Sequence, residues 1–169
     1  MRLTEVLLAE IDRESERSRR VLQQVPENRH EWKPHDRSMP FGYLAQLVAT
    51  MPGWVAMEIN QDELDLNPPG GPKYTPEPMR TSSELLKGLE KSLADARNAL
   101  QTTSEEHLMT PWRLLVGGTV VLETARHIMI RDTLNHMAHH RGQMTVYLRL
   151  MGAKVPALYG PSADDQRFE

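Results

Sequence analysis

Over residues 3–24 the apolar positions Leu3, Val6, Leu7, Ile11, Val21 and Leu22 fall among charged residues at largely helical spacing, and Val25-Pro26 ends the pattern. Residues 28–37 are polar and carry His30, Trp32, Pro34 and His35. Ser38 is placed to cap a second helix, whose first turn accepts Pro40 and which runs to about Asn60. Its apolar stripe is Tyr43, Leu44, Leu47, Met51 and Trp54, and Pro52, lacking an N–H, bends it. A third helix opens on the capping box Thr81-Ser82-Ser83-Glu84 and carries Leu85, Leu86, Leu89, Leu93, Ala96 and Leu100 on one face. The last covers about residues 123–151, with Gly152 placed to take the left-handed conformation that ends it.

Residues 62–80 contain Pro68-Pro69-Gly70-Gly71-Pro72, then Pro76 and Pro78, a composition that sustains neither regular helix nor central strand. They predict a long loop. Residues 104–110 form a short segment, and 111–122 read as a turn flanked by extended residues, compatible with a small hairpin before the last helix. Four long helices with no repeat and no strand series predict an all-α fold, a four-helix bundle with one long proline-rich connection. The tail, 155–169, is expected to be irregular.

A chain of 169 residues suits a single domain spanning 1–169, hiding about 70% of the surface that the unfolded chain exposes. Absence of cysteine excludes disulfides, thiolate metal sites and a cysteine nucleophile, leaving histidine and carboxylate as plausible ligands. It fits a reducing compartment. No signal-peptide core opens the chain and no stretch approaches the ~20 apolar residues of a membrane span, so the expectation is a soluble cytoplasmic protein. A net charge of −3 supplies no broad basic field, and Arg13, Arg17, Arg19 and Arg20, interleaved with Glu14 and Glu16, read as a solvated helix face. Nucleic-acid binding is disfavoured, with no basic helix, stacking series or recognised module.

The most informative stretch is Asn135-His136-Met137-Ala138-His139-His140-Arg141-Gly142-Gln143. Two histidines at i and i+4 on a helix stand about 40° apart, with Cβ atoms roughly 5–6 Å apart, close enough to share one divalent metal. On a helical wheel Met129, Thr133, His136, Met144, Tyr147 and Met151 lie within about 40° of His140, which predicts that both rings face inward. His139, about 100° away, is the weaker ligand candidate. Buried imidazoles must be metal-bound, hydrated or hydrogen-bonded, so a core pair satisfied by backbone, Asp132 or Gln143 stands beside the metal reading. Asp132, one turn before His136, could orient that ring or pair at the surface with Arg131 or Arg126.

The HxxxHRGQ stretch, with Tyr147-Leu148-Arg149-Leu150-Met151-Gly152 and Val155-Pro156-Ala157-Leu158-Tyr159-Gly160 behind it, and Met39-Pro40-Phe41-Gly42-Tyr43-Leu44-Ala45 ahead of Pro52-Gly53-Trp54, resembles the DinB-like (DinB/YfiT) family of small bacterial four-helix proteins. The resemblance implies a nickel or zinc ion held by three histidines, one from helix two and a pair matched by His136 and His140. The helix-two position is occupied here by Leu47, which has no lone pair to give, so the implied site is reduced to two protein ligands. Glu58 lies 11 residues beyond Leu47, about 16 Å along an ideal helix, and Thr50 and Met51 are poor zinc donors. His30, His35 and His107, from loops, read as surface histidines.

Two readings follow. In one, the protein resembles the family's metal-dependent thiol-S-transferases and isomerases, acting with small thiols such as bacillithiol or mycothiol, with His136 and His140 as ligands and Asp132 orienting one of them. Tyr43 and Tyr147 would shape its pocket or pack in the core. In the other, Leu47 closes part of the pocket and leaves a metal-free dimeric scaffold or small-ligand binder. The family and a Met-rich apolar surface suggest a homodimer.

Overall fold

In the computed structural model, residues 1–71 and 77–168 are described, and the part of the proline-rich stretch at 72–76 lies outside them. The helices are α1 (Leu3–Leu22), α2 (Phe41–Thr50), α3 (Pro52–Asn60), α4 (Ser82–Thr102), α5 (Glu105–Met109) and α6 (Arg126–Leu150), with strands β1 (Glu63–Asp65), β2 (Pro111–Val116) and β3 (Thr119–Ala125). The fold is therefore mostly helical with a small three-stranded sheet, which amends the all-α expectation. Leu7, Ile11, Met51, Val55, Leu93, Leu100, Ile130 and Met137 form one core cluster. Val21, Leu22, Phe41, Leu44, Val48, Leu85, Leu89, Met144 and Leu148 form the other, so α1, α2, α3, α4 and α6 meet in a common interior.

Local chemistry explains most boundaries. Thr81 caps α4 as its sequence predicts: its hydroxyl accepts from the Glu84 N–H at 3.1 Å, and the Glu84 carboxylate accepts from the Thr81 N–H at 2.9 Å. Gly152, at φ 76°, follows α6 in the left-handed conformation. Ser38 does not cap α2. The upstream loop does so with backbone, the carbonyl of Trp32 accepting from Phe41 N and that of His30 from Gly42 N, each at 2.9 Å. That loop lies so close that a Cβ on Gly42 would stand 3.0 Å from His30 Cβ and Nδ1. The single helix expected to Asn60 is two, because Pro52 has no N–H and begins α3 at its N1 position.

The sheet has the order β1-β2-β3, with β1 parallel to β2 and β3 antiparallel to it. The hairpin pattern at 111–122 corresponds to β2 and β3, but pairing persists from Val116↔Thr119 to Pro111↔Ala125, so α6 starts at Arg126 and not near Glu123. β1 corrects the expectation of an uninterrupted loop over 62–80. Glu63, Leu64 and Asp65 precede the prolines, and the Asp65 carboxylate accepts from the N–H groups of Gly117 and Gly118 at 2.9 and 2.7 Å, fastening β1 to a hairpin turn more than fifty residues away. The Asn67 N–H first, and then those of Gly118 and Gly117, hold the Asp65 carboxyl below its ordinary range.

The charged run of α1 is not wholly solvated, because Glu14 and Arg17 are buried. The Glu14 carboxylate pairs with the guanidinium groups of Arg17 and Arg141 and accepts from the Tyr159 hydroxyl at 2.8 Å. Arg141, 0% exposed, also donates to the Glu14 carbonyl at 2.8 Å and to Ser18 Oγ at 3.1 Å. The irregular tail is thereby strapped to α1, and Arg17 adds a bond to the Leu158 carbonyl at 3.1 Å. Burial pushes the Glu14 carboxyl up, but Arg141, the Tyr159 hydroxyl and Arg17 outweigh it and hold it below the ordinary range. This stabilisation is present above the ordinary carboxylate range and lost as pH falls through the lowered value.

A second buried acid behaves oppositely. Glu58 on α3 is 1% exposed; Thr133 Oγ1 donates to its Oε1 at 2.5 Å, while Oε2 has no partner. The nearby Arg126 guanidinium is committed to the Glu58 and Gln61 backbone carbonyls and to Asp62, not to this carboxyl. Burial, reinforced by the negative charge of Asp132, pushes Glu58 to about 8 against the opposing Thr133 bond.

Both networks predict stability changes readable by urea unfolding. Glu14→Ala strands the Arg141 charge in the interior and is expected to cost about 3–5 kcal/mol at neutral pH. For Glu58 the folded chain keeps a proton that the unfolded chain releases, so from the ordinary carboxylate range up to about 8 stability falls as pH rises, by up to ~1.4 kcal/mol per unit. Glu58→Gln keeps an acceptor for Thr133 and should flatten that slope.

Candidate metal site

His136 and His140 occupy adjacent turns of α6, with ring centroids 4.5 Å apart and planes tilted by 39°. His140 is 7% exposed and its Nδ1 lies 2.8 Å from Gln143 Oε1. An amide oxygen only accepts, so Nδ1 carries the proton and the lone pair resides on Nε2. That Nε2 is not among the side-chain atoms sealed from solvent without a partner. Trp54 of α3 flanks the pair, its ring centroid 5.9 Å from that of His136, and His139 approaches His140 at 5.3 Å. Partial burial, then the neighbouring His140 and His139, hold His136 below the usual histidine range, so its ring is neutral at pH 7.

The expectation that both rings face inward is half right: His140 is buried, but His136 and His139 are exposed. The buried stripe of α6 runs through Ile130, Thr133, Leu134, Met137, Arg141, Met144 and Leu148. At 100° per residue its centre lies roughly 70° from His140 and about 110° from His136, so His140 sits at the core margin and His136 beyond it. Arg141, the residue after His140, is fully buried; its polarity alone hides that from a sequence reader.

The other candidates separate. Asp132 is exposed and makes no hydrogen bond to either ring; its charge acts on Glu58. Tyr43, expected on the inward stripe, is 52% exposed, whereas Tyr147 is core, stacked on Phe41 at 6.2 Å and edge-on to Trp32 at 5.6 Å. Met51, Met137 and Met144 are buried, so the expected Met-rich surface does not include them. His107 Nε2 meets the Ile59 carbonyl at 2.8 Å, His35 Nδ1 accepts from Arg37 N at 3.1 Å, and His30 packs against Gly42. None joins the pair. Among the described residues no group of three or more His, Asp or Glu side chains could hold a metal.

The position at which the resemblance implies a third donor can be located. Phe41 stacks on Tyr147, Trp54 meets His136 and Glu58 meets Thr133, so α2 and α3 run antiparallel to α6. Counting 1.5 Å per residue from these contacts brings Leu47 level with Gln143, within a turn of His140. Leu47 is half-buried against the core, a hydrocarbon where a donor would complete the set. Glu58 lies about one turn from His136 in the other direction and is engaged by Thr133. The donor set therefore fits a two-imidazole site with open positions and not a three-histidine centre within one chain.

Residues 75–167 match the model of the DinB family. Over 89 residues, 52% of this chain and 51% of the relative, the sequence is 50% identical to the uncharacterized protein YrdA of Bacillus subtilis, so the match spans about half of that curated relative. In fold the chain is similar to a DinB-like protein of Bacillus cereus, with a TM-score of 0.69 at 21% identity over 92% of this chain and 97% of that one. It is similar also to a DinB-like protein of Bacillus subtilis, with a TM-score of 0.66 at 18% identity over 95% of this chain and 99% of that one. A hairpin-bearing helical fold, a histidine pair on its last helix and a family match across more than half of the residues lead to one conclusion: the chain belongs to the DinB family.

Proposed function

We propose that this protein binds a divalent transition metal, nickel or zinc, through His136 and His140, with an affinity limited by the loss of a third donor at Leu47. The observation that carries the reading is the Gln143-oriented His140 with its Nε2 lone pair free, one turn from a neutral His136 whose ring is 4.5 Å away. A bound ion of this kind lowers the pKa of a coordinated water or thiol, which is the chemistry that action on small thiols would need. This chain's part is to hold two imidazoles one turn apart, orient one through Gln143 and wall the site with Trp54. A metal-free scaffold or small-ligand binder is the second reading, favoured by Leu47 packing with the core in place of a ligand.

Equilibrium dialysis of untagged, chelator-treated protein against nickel or zinc, with elemental analysis, separates the two. Chelator-sensitive uptake that His136→Ala weakens at least tenfold supports the metal reading; no uptake leaves the scaffold. Gln143→Leu frees the His140 tautomer and should lower affinity by roughly tenfold. Leu47→His restores a donor level with the pair and should raise affinity by orders of magnitude. Unchanged affinity would mean that position 47 does not face the rings.

A further inference from the structure

Five large apolar side chains stand exposed on the small sheet. Leu66 beside β1, Val116 on β2 and Val120, Val121 and Leu122 on β3 are each between 40% and 62% exposed. From Leu114 to Leu122 no side chain carries a charge. Trp112 is buried against the bundle and anchors the sheet at its base, while this apolar tip stands clear. Monomeric proteins rarely leave such a patch on an open strand.

The outer edge of β3 is unpaired as well. β3 ends the strand order, and among the described residues no main-chain hydrogen bond reaches its outer side. On β2, Arg113 N–H donates to the Asp62 carbonyl at 3.1 Å and the Leu115 carbonyl accepts from Leu66 N–H at 2.9 Å, so both turn away from β3. In an antiparallel ladder the residues opposite them, Glu123 and Val120, then turn their own N–H and C=O onto the open side. Val121, between the two, has no partner on β2.

Two features select the occupant. Glu123 is the single charge on β3, so the edge fits an apolar strand with little charge of its own, and a second copy supplies one. A two-fold axis between Val121 and Leu122 sets Val120 of each copy against Glu123 of the other, outward groups meeting outward groups. The two Glu123 carboxylates then stand three residues apart along the strands, roughly 10 Å, and the unpaired Val121 is matched by its symmetry mate. At the far side of the sheet β1 is three residues long, with Asp65 tied to Gly117 and Gly118, so addition at β3 closes at two copies. We propose that two copies of this chain join edge to edge through β3, forming a continuous six-stranded sheet with Val120, Val121 and Leu122 covered at its centre. The contact is independent of the histidine pair and of any metal.

Sedimentation velocity of the full untagged chain over a concentration series is expected to show a reversible monomer–dimer equilibrium that EDTA leaves unchanged. Val121→Lys, which charges an exposed side chain at the axis, should raise the dimer dissociation constant at least tenfold with no loss of helical circular dichroism. Leu150→Lys, at a side chain 60% exposed on α6, should leave the equilibrium as it is. The chain has no cysteine, so Val121→Cys gives a single thiol beside the axis, and mild oxidation should link it to its mate in a covalent dimer. Leu150→Cys, treated alike, should stay unlinked. A chain that is monomeric at every concentration overturns the proposal, as does a dimer that Leu150→Lys breaks and Val121→Lys does not. A dimer lost in EDTA overturns it too, because the contact would then depend on a metal.

Discussion

The rotation of α6 about its own axis is set by one buried guanidinium. Arg141 is sealed from solvent and bound to the carboxylate and carbonyl of Glu14 and to Ser18 on α1, so α6 cannot turn without stranding a charge in the interior. Everything at the histidine pair follows from that. With Arg141 pointing inward, His140 sits at the margin, its Nδ1 within reach of Gln143, and His136 is carried one step further toward water. Turning the helix by one residue would bury His136 and expel Arg141; the pair is accessible because its neighbour is not.

The two interior glutamates show how environment decides the state of one side chain. Glu14 meets two guanidinium groups and a phenol, which together outweigh burial and keep it ionised. Glu58 meets one threonine hydroxyl, with Asp132 adding negative charge nearby, and it keeps its proton near neutrality. The first acid binds α1, α6 and the tail into one electrostatic unit. The second lies on the seam between α3 and α6, one helical turn from Trp54 on α3 and from His136 on α6, where a neutral carboxyl is tolerated and a charged one is not.

The sheet belongs to a different part of the design. Trp112 alone of β2 is buried, while β3 exposes Val120, Val121 and Leu122, so the hairpin lies against the bundle at its base and projects at its turn. Its hold on the helical part runs through Arg126, at the first position of α6, whose guanidinium meets Thr110, Asp62 and the last carbonyls of α3. That cluster fixes where α6 begins, as the Arg141 cluster fixes how it faces.

The chain by itself determined the elements whose signals are local: the capping box at Thr81, the glycine stop at Gly152, the helical spacing of α1 and α4, the break at Pro52, and the histidine pair at i and i+4. Each depends on residues within about one turn, where backbone geometry and side-chain reach act directly. Tertiary structure decided what depends on partners far along the chain. It chose Trp32 and His30 over Ser38 to cap α2, joined Asp65 to Gly117 and Gly118 in a strand that a proline-rich segment does not announce, and buried Glu14 and Arg17 where a charge run reads as solvated. It also set which face of α6 is wet. A helical wheel centred on His140 turned His136 inward and gave no reason to bury Arg141; the ion pair of Arg141 with Glu14, 127 residues away, sets the helix face instead, because a matched buried charge is stable where an unmatched one is not.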